Sequence, residues 1–174
     1  ERRPQVFVSA SAIGFYGNDS SRHRDESAPP GDDLLARLCE RWEDEARAVE
    51  EAGVRLVLAR LGIVLSRQAG ALKEALPAFR FGLGGVFGDP EPFINWIHLE
   101  DAVRIIALAL LDEQIRGPYN VVAPAPVDNG TYARTLARVL GRPALMRYPA
   151  GLLRAMIGPA AEYASGGPRV SSDR

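Results

Sequence analysis

The sequence predicts an α/β fold built on a parallel sheet, and three observations carry that prediction. Val6–Val8 is a short apolar run of β-branched and aromatic residues, the pattern of a strand buried on both faces. Small residues follow at once, Ser9 to Ala12, and then Gly14 and Gly17. A helical segment separates this strand from a second apolar run beginning at Arg55, which reads as its parallel neighbour. A buried strand ending in hydroxyls and glycines places Ser9 and Ser11 at a carboxyl edge, where open parallel sheets bind ligands. From spacing alone, an ordinary polar turn reads the same way.

Composition narrows the function classes. The 174 residues suffice for a buried core and fit one domain of ordinary size. Basic and acidic residues nearly cancel, 21 against 22, so no field steers nucleic acid or an anionic membrane towards the chain. Cys39 is the only cysteine, which excludes an internal disulfide and a cysteine zinc site. The two histidines, His23 and His98, have no paired ligands at metal spacing, so no metal is expected. No apolar run reaches the roughly 20 residues that span a bilayer. No signal-peptide pattern is present, which points to the cytoplasm.

The elements follow in order. Asn18–Pro30 is a polar run that reads as a loop. Asp32 or Asp33 caps a helix running to about Ala52, and Gly53 stops it. Its apolar stripe is Leu35, Leu38, Trp42, Ala46 and Val49. Arg55–Arg60 alternates and Leu61–Leu65 is apolar around Gly62, a parallel strand with its extension. Gly70–Arg80 reads as a helix with Leu72, Ala75, Leu76 and Phe79 on one face. Gly82, Gly85 and Gly88 have the spacing of a nucleotide fingerprint. A fingerprint needs a strand before it and a helix N-terminus after it. Here a helix precedes and Asp89–Pro92 follows, so the segment reads as a flexible substrate-side loop.

Phe93–His98 is strand-like, and Glu100 and Asp101 suit the first turn of the next helix. Val103–Leu111 is apolar nearly all round and predicts a buried helix. Tyr119–Val122 is a brief strand, and Pro124 and Pro126 punctuate the loop after it. Asp128 caps a helix over Asn129–Leu140, ended by Gly141 and Pro143. Leu145–Tyr148 reads as a strand, Gly151–Ile157 as the start of a helix, and residues 160–164 as a last one. Gly166–Arg174 is polar and reads as a mobile end.

Five ordered blocks carry a resemblance. They are Val6–Gly17, Leu35–Glu43, Arg60–Ser66, Trp96–Asp101 and Gly117–Pro124. Together they resemble the epimerase-family, nucleoside-diphosphate-sugar epimerase-like branch of the extended short-chain dehydrogenase/reductases. The resemblance implies the carboxyl-terminal part of a doubly wound (Rossmann-like) parallel sheet with a small α+β substrate-side lobe. Residues 1–67 would belong to the dinucleotide-binding sheet and 68–174 to the lobe, with 117–124 returning to the sheet. No strand, glycine-rich turn and helix precede Val6, as a complete dinucleotide fold requires.

The resemblance also implies roles. Ser9, Ala10, Ser11, Arg60, Val122, Ala123 and Pro124 would lie on the cofactor side, and Gly84, Gly85, Asn95, Trp96 and His98 on the substrate side. The cofactor would be NAD or NADP in the full-length protein, with none bound by this chain alone. Typical members carry Tyr-x-x-x-Lys in the helix over Leu35–Glu43. Aligned on Trp42-Glu43, Leu35 stands at the Tyr position and Cys39 at the Lys position. Neither can transfer that proton. Ser11 is then the first catalytic candidate and Tyr16 the second. The function implied is part of an NAD(P)-binding epimerase/dehydratase-like oxidoreductase acting on a nucleotide-sugar or similar small molecule. The alternative is a catalytically inactive NAD(P)-binding sensor or partner-binding protein. An exposed first strand and the underside of the helix after it predict a homodimer or a companion fragment.

Overall fold

In the computed structural model, three parallel strands form the main sheet in the order β1, β3, β8. They are β1 (Val6–Ala12), β3 (Arg55–Leu61) and β8 (Gly117–Val121). The structure describes residues 3–144, 146–158, 161 and 166–174. Helix α1 (Leu34–Glu51) connects β1 to β3, and helix α3 (Leu99–Leu111) precedes β8. Both helices lie against the sheet, as parallel connections require. Asp33 caps α1 by accepting the Ala36 N–H at 2.9 Å. Arg55 Nη1 donates to the carbonyls of Ala109 at 2.9 Å and Ile115 at 2.6 Å, so the start of β3 holds the end of α3.

Beyond β3 the chain leaves the main sheet at Gly62. A Cβ there would lie 2.6 Å from the Asn95 carbonyl oxygen, so only glycine lets the two backbones pass. The expected extension is therefore a separate strand, β4 (Ile63–Leu65), paired in parallel with β7 (Trp96–His98). The expected strand over residues 93–98 is likewise two pieces. The first, β6 (Phe93–Ile94), pairs antiparallel with β9 (Val127–Asp128), and Asn95 lies between β6 and β7. Helix α2 (Gly70–Arg80) and helix α4 (Asn129–Val139) pack together through Phe79, Ala133 and Ala137. The segment expected as a flexible loop contains β5 (Gly85–Phe87), paired in parallel with β10 (Met146–Tyr148), which α5 (Ala150–Ile157) follows. The last expected helix, over 160–164, lies outside the described residues apart from Ala161.

Two surfaces differ from expectation. In α1 the buried stripe is Ala36, Cys39, Glu43 and Ala46, while Leu38 and Trp42 are exposed. In α3 only Ala102 and Ala109 are buried, and Val103, Leu108, Leu110 and Leu111 are exposed. The polar end, expected to be mobile, instead forms β11 (Arg169–Val170), parallel to β2 (His23–Arg24), with Val170 fully buried. The loop after Gly17 thus receives the end of the chain. Among the described residues, no helix is long and apolar enough to cross a membrane.

Candidate functional site at the carboxyl edge of the sheet

Register builds the centre of the site. Ser11 of β1 is paired with Arg60 of β3, and Arg60 with Asn120 of β8. Three neighbouring strands therefore place three polar side chains in one row across the sheet. Helix α1 brings Glu43 to this row, and the 3-10 turn Ile13–Tyr16 brings Tyr16. All five residues are buried.

Their hydrogen bonds form one chain. Ser11 Oγ donates to Glu43 Oε1 at 2.7 Å. Arg60 grips the same carboxylate with two bonds of 2.8 Å, from Nε to Oε1 and from Nη2 to Oε2. Its Nη1 donates to the Tyr16 hydroxyl at 2.9 Å, and that hydroxyl donates to Asn120 Oδ1 at 2.7 Å. The guanidinium also lies 3.5 Å from the centre of the Phe15 ring, a cation–π contact out of water. This two-bond pairing is the geometry in which a buried ion pair offsets its desolvation. Asn120 continues the chain by donating Nδ2–H to the Ser171 carbonyl at 2.7 Å. Its backbone N–H reaches Glu26 Oε1 at 3.0 Å, and Glu26 Oε2 accepts the Asp173 N–H. The terminal segment is thereby fastened over the sheet.

Above this network lies a cavity of about 240 Å³ at the carboxyl ends of β1 and β3. Ala12, Ile13, Gly14 and Leu35 form one side, and Leu61, Ile63, Phe93 and Asn95 the other. Residues 166–168 close it from the terminal segment. The Asn95 side chain holds that segment: Nδ2 donates to the Pro168 carbonyl at 2.8 Å, and Oδ1 accepts the Val170 N–H at 3.0 Å.

The sequence-predicted residues fall into distinct places. Ser9, Ser11, Tyr16 and Arg60 are sealed beneath α1 and do not line the cavity. Burial pushes the Tyr16 phenol above its ordinary value, and Arg60 pulls it only partly back. Ala10 and Pro124 are exposed at the edge of the sheet. Val122 packs with Phe15, Tyr16 and Cys39, while the Ala123 N–H donates to the Trp96 carbonyl at 2.6 Å. Asn95 lines the cavity. Trp96 faces a separate apolar hollow with Leu72, Tyr132 and Leu136. His98 caps α3 from the surface, accepting the Glu100 N–H at 3.3 Å. Gly84 abuts the Phe79 ring and Gly85 the backbone of Met146, both away from the cavity. Leu35 is in the cavity wall, and Cys39 is buried behind it with its thiol pushed up by burial.

Sequence reasoning missed Glu43, Asn120 and Glu26. The signal for Glu43 was present, since Ala36, Cys39, Glu43 and Ala46 recur at helical spacing and make a narrow small-residue stripe containing one carboxylate.

No family model matches the chain. An epimerase family protein of Mycobacterium leprae is 38% identical over 154 residues, covering 88% of this chain and 50% of that protein. The crystal structure of the human epimerase family protein SDR39U1 with NADPH superposes with a TM-score of 0.91 at 32% identity. That alignment covers 97% of this chain and 58% of the human one. Over this span the chain is similar in sequence and in fold to proteins of the epimerase family. A nucleoside-diphosphate sugar epimerase from Corynebacterium glutamicum is 34% identical, with a TM-score of 0.69 over 94% of this chain and 38% of its own. The chain spans about half the length of the curated relatives it matches. The parallel sheet of β1, β3 and β8 is the Rossmann-like part of that fold.

Proposed function

We propose that this chain forms part of an NAD(P)-binding, epimerase/dehydratase-like oxidoreductase acting on a small molecule, with NADPH the first cofactor to test. The observation that carries the reading is the superposition on the NADPH-containing human structure at a TM-score of 0.91. The residues present suit one part of that group. At the sheet edge formed by β1, β3 and β8, Ala10 and Pro124 are exposed and Ala123 is half-buried. Among the described residues, no strand, glycine-rich turn and helix cradle a pyrophosphate. Bound NADPH would supply a hydride; the chain's own residues would shape the rim. Ser11 serves this reading as a positioning residue, because its Oγ holds Glu43 and thereby the end of β1.

A specific observation favours the sensor as second reading. Among the described residues lining the cavity, none carries a titratable side chain, and Leu35 forms part of the wall. A binding protein without turnover needs no acid or base there. The test is a titration of the full-length product of the gene with NADPH, followed by cofactor fluorescence. Saturable binding is expected, and absence of binding overturns the reading. Binding without consumption of NADPH across carbonyl substrates selects the sensor.

We further propose self-association through α1. Leu34, Leu38 and Trp42 recur four residues apart on its outer face and are 77%, 57% and 54% exposed. Such a stripe is costly to leave in water.

A further inference from the structure

We propose that the cavity between β1, β3 and residues 166–168 takes an uncharged, low-polarity group of about bicyclic size and excludes a hexopyranose. The inference concerns the substrate class and rests on the oxidoreductase reading above.

Hydrogen-bonding capacity decides it. A sugar presents several hydroxyls, and a site that recognises them must offer free donors and acceptors, since unmatched polar groups are costly to bury. Among the described residues, this lining offers few. Its side chains are almost all aliphatic or absent, with Asn95 and Asn18 the polar exceptions. The Asn95 amide already donates to the Pro168 carbonyl and accepts the Val170 N–H, and Asn18 has a partner of its own. Five of the backbone N–H groups that line it are already used. The N–H groups of Gly17, Gly62, Ile63, Phe93 and Gly167 donate to the carbonyls of Gly14, Val121, Asn95, Gly167 and Phe93.

Charge points the same way. No Arg, Lys, Asp, Glu or His among the described residues lines the cavity, so nothing there would hold a phosphate or a carboxylate. Size completes the argument. A cavity of ~150 Å³ with apolar walls accepts benzene. At about 240 Å³ this one suits a two-ring molecule, and it is smaller than the ~300–1,000 Å³ that drug-sized ligands fill.

The experiment titrates the full-length product of the gene with 1-tetralone, an uncharged bicyclic ketone, and separately with UDP-glucose, by calorimetry at several temperatures. Saturable tetralone binding with a negative heat-capacity change is expected, the mark of apolar burial. Ile13→Ala should weaken it roughly tenfold through the lost methyl contacts. Ile63→Asn, close in size but polar, should weaken it at least as much, with circular dichroism confirming the fold of both. UDP-glucose should not displace tetralone. Failure of tetralone to bind, its displacement by UDP-glucose, or unchanged affinity in both variants overturns the proposal. Mutual exclusion of tetralone and NADPH also overturns it, because the cavity would then belong to the cofactor. NADPH binding is read by fluorescence in the same sample. Its loss overturns the oxidoreductase reading, while its presence without tetralone binding overturns only this one.

Discussion

Arg60 is the residue on which the buried side of the site depends. Its side chain is 3% exposed, and that of its partner Glu43 is 2%. Removing one member of such a pair leaves a charge in the interior without compensation. Glu43→Gln should therefore destabilise the fold by about 3–5 kcal/mol in denaturant melts. Replacing both members by apolar residues, Glu43→Leu with Arg60→Met, should recover most of that loss, since the net worth of a buried ion pair is small. If the double variant is no more stable than Glu43→Gln, the pair holds the fold through its hydrogen bonds to Ser11 and Tyr16 as well. Gly62 is the second residue of consequence. Its missing side chain lets β3 pass the Asn95 backbone, and a Cβ would also meet Val122 Cγ1 at 3.0 Å. Gly62→Ala should cost about 1–3 kcal/mol, the scale of overpacking, measured by the same melts.

Among the elements, α4 gives a pH-dependent test. Asp128 caps it, accepting the Thr131 N–H and Oγ1–H at 2.6 Å each. These bonds hold its carboxyl below the ordinary value of 3.8. The folded state thus binds this proton less readily than the unfolded chain. Its contribution is fully present above 3.8 and is lost as the pH falls through the lower folded value. Asp128→Ala should cost about 1 kcal/mol at neutral pH, as N-cap removal does. The difference from the parent should shrink in acid below that range, followed by thermal melts at a series of pH values. A difference that persists undiminished in acid would assign the effect to packing instead of the ionised cap.

For the whole molecule, exposed apolar surface is the open question. The outer stripe of α1 lies beside β1, an edge strand whose Phe7 is 41% exposed. On the opposite side of the sheet, α3 leaves Val103 and Leu110 about half exposed. Edge strands and apolar faces of this kind are ordinarily covered. Sedimentation equilibrium should show self-association of the chain at micromolar concentration. Leu38→Lys with Trp42→Lys should shift it towards monomer without changing the circular dichroism. A parent chain that stays monomeric at high concentration refutes association through α1.

The order of the three main-sheet strands and of the helices around them, the cap at Asp128 and a capping carboxylate at Asp32 or Asp33 could be read from the sequence itself. They depend on local signals: apolar period, a capping carboxylate, a glycine stop. The carboxyl-edge position of Ser11 was legible for the same reason. Which face of α1 turns inward was not. Leu38 and Trp42 compete with Ala36, Cys39, Glu43 and Ala46 for the core, and hydrophobicity alone favours the larger side chains. The structure buries the smaller stripe, and with it Glu43. Nor could sequence place Asn120 beside Tyr16 or Glu26 under β8. Those contacts arise from strand register between distant segments and from the return of the chain end through β11. Register is set by how whole faces pack. Only the tertiary structure could therefore decide that Ser11 and Arg60 are tied into the buried network, leaving a cavity walled by Ile13, Leu35 and Ile63.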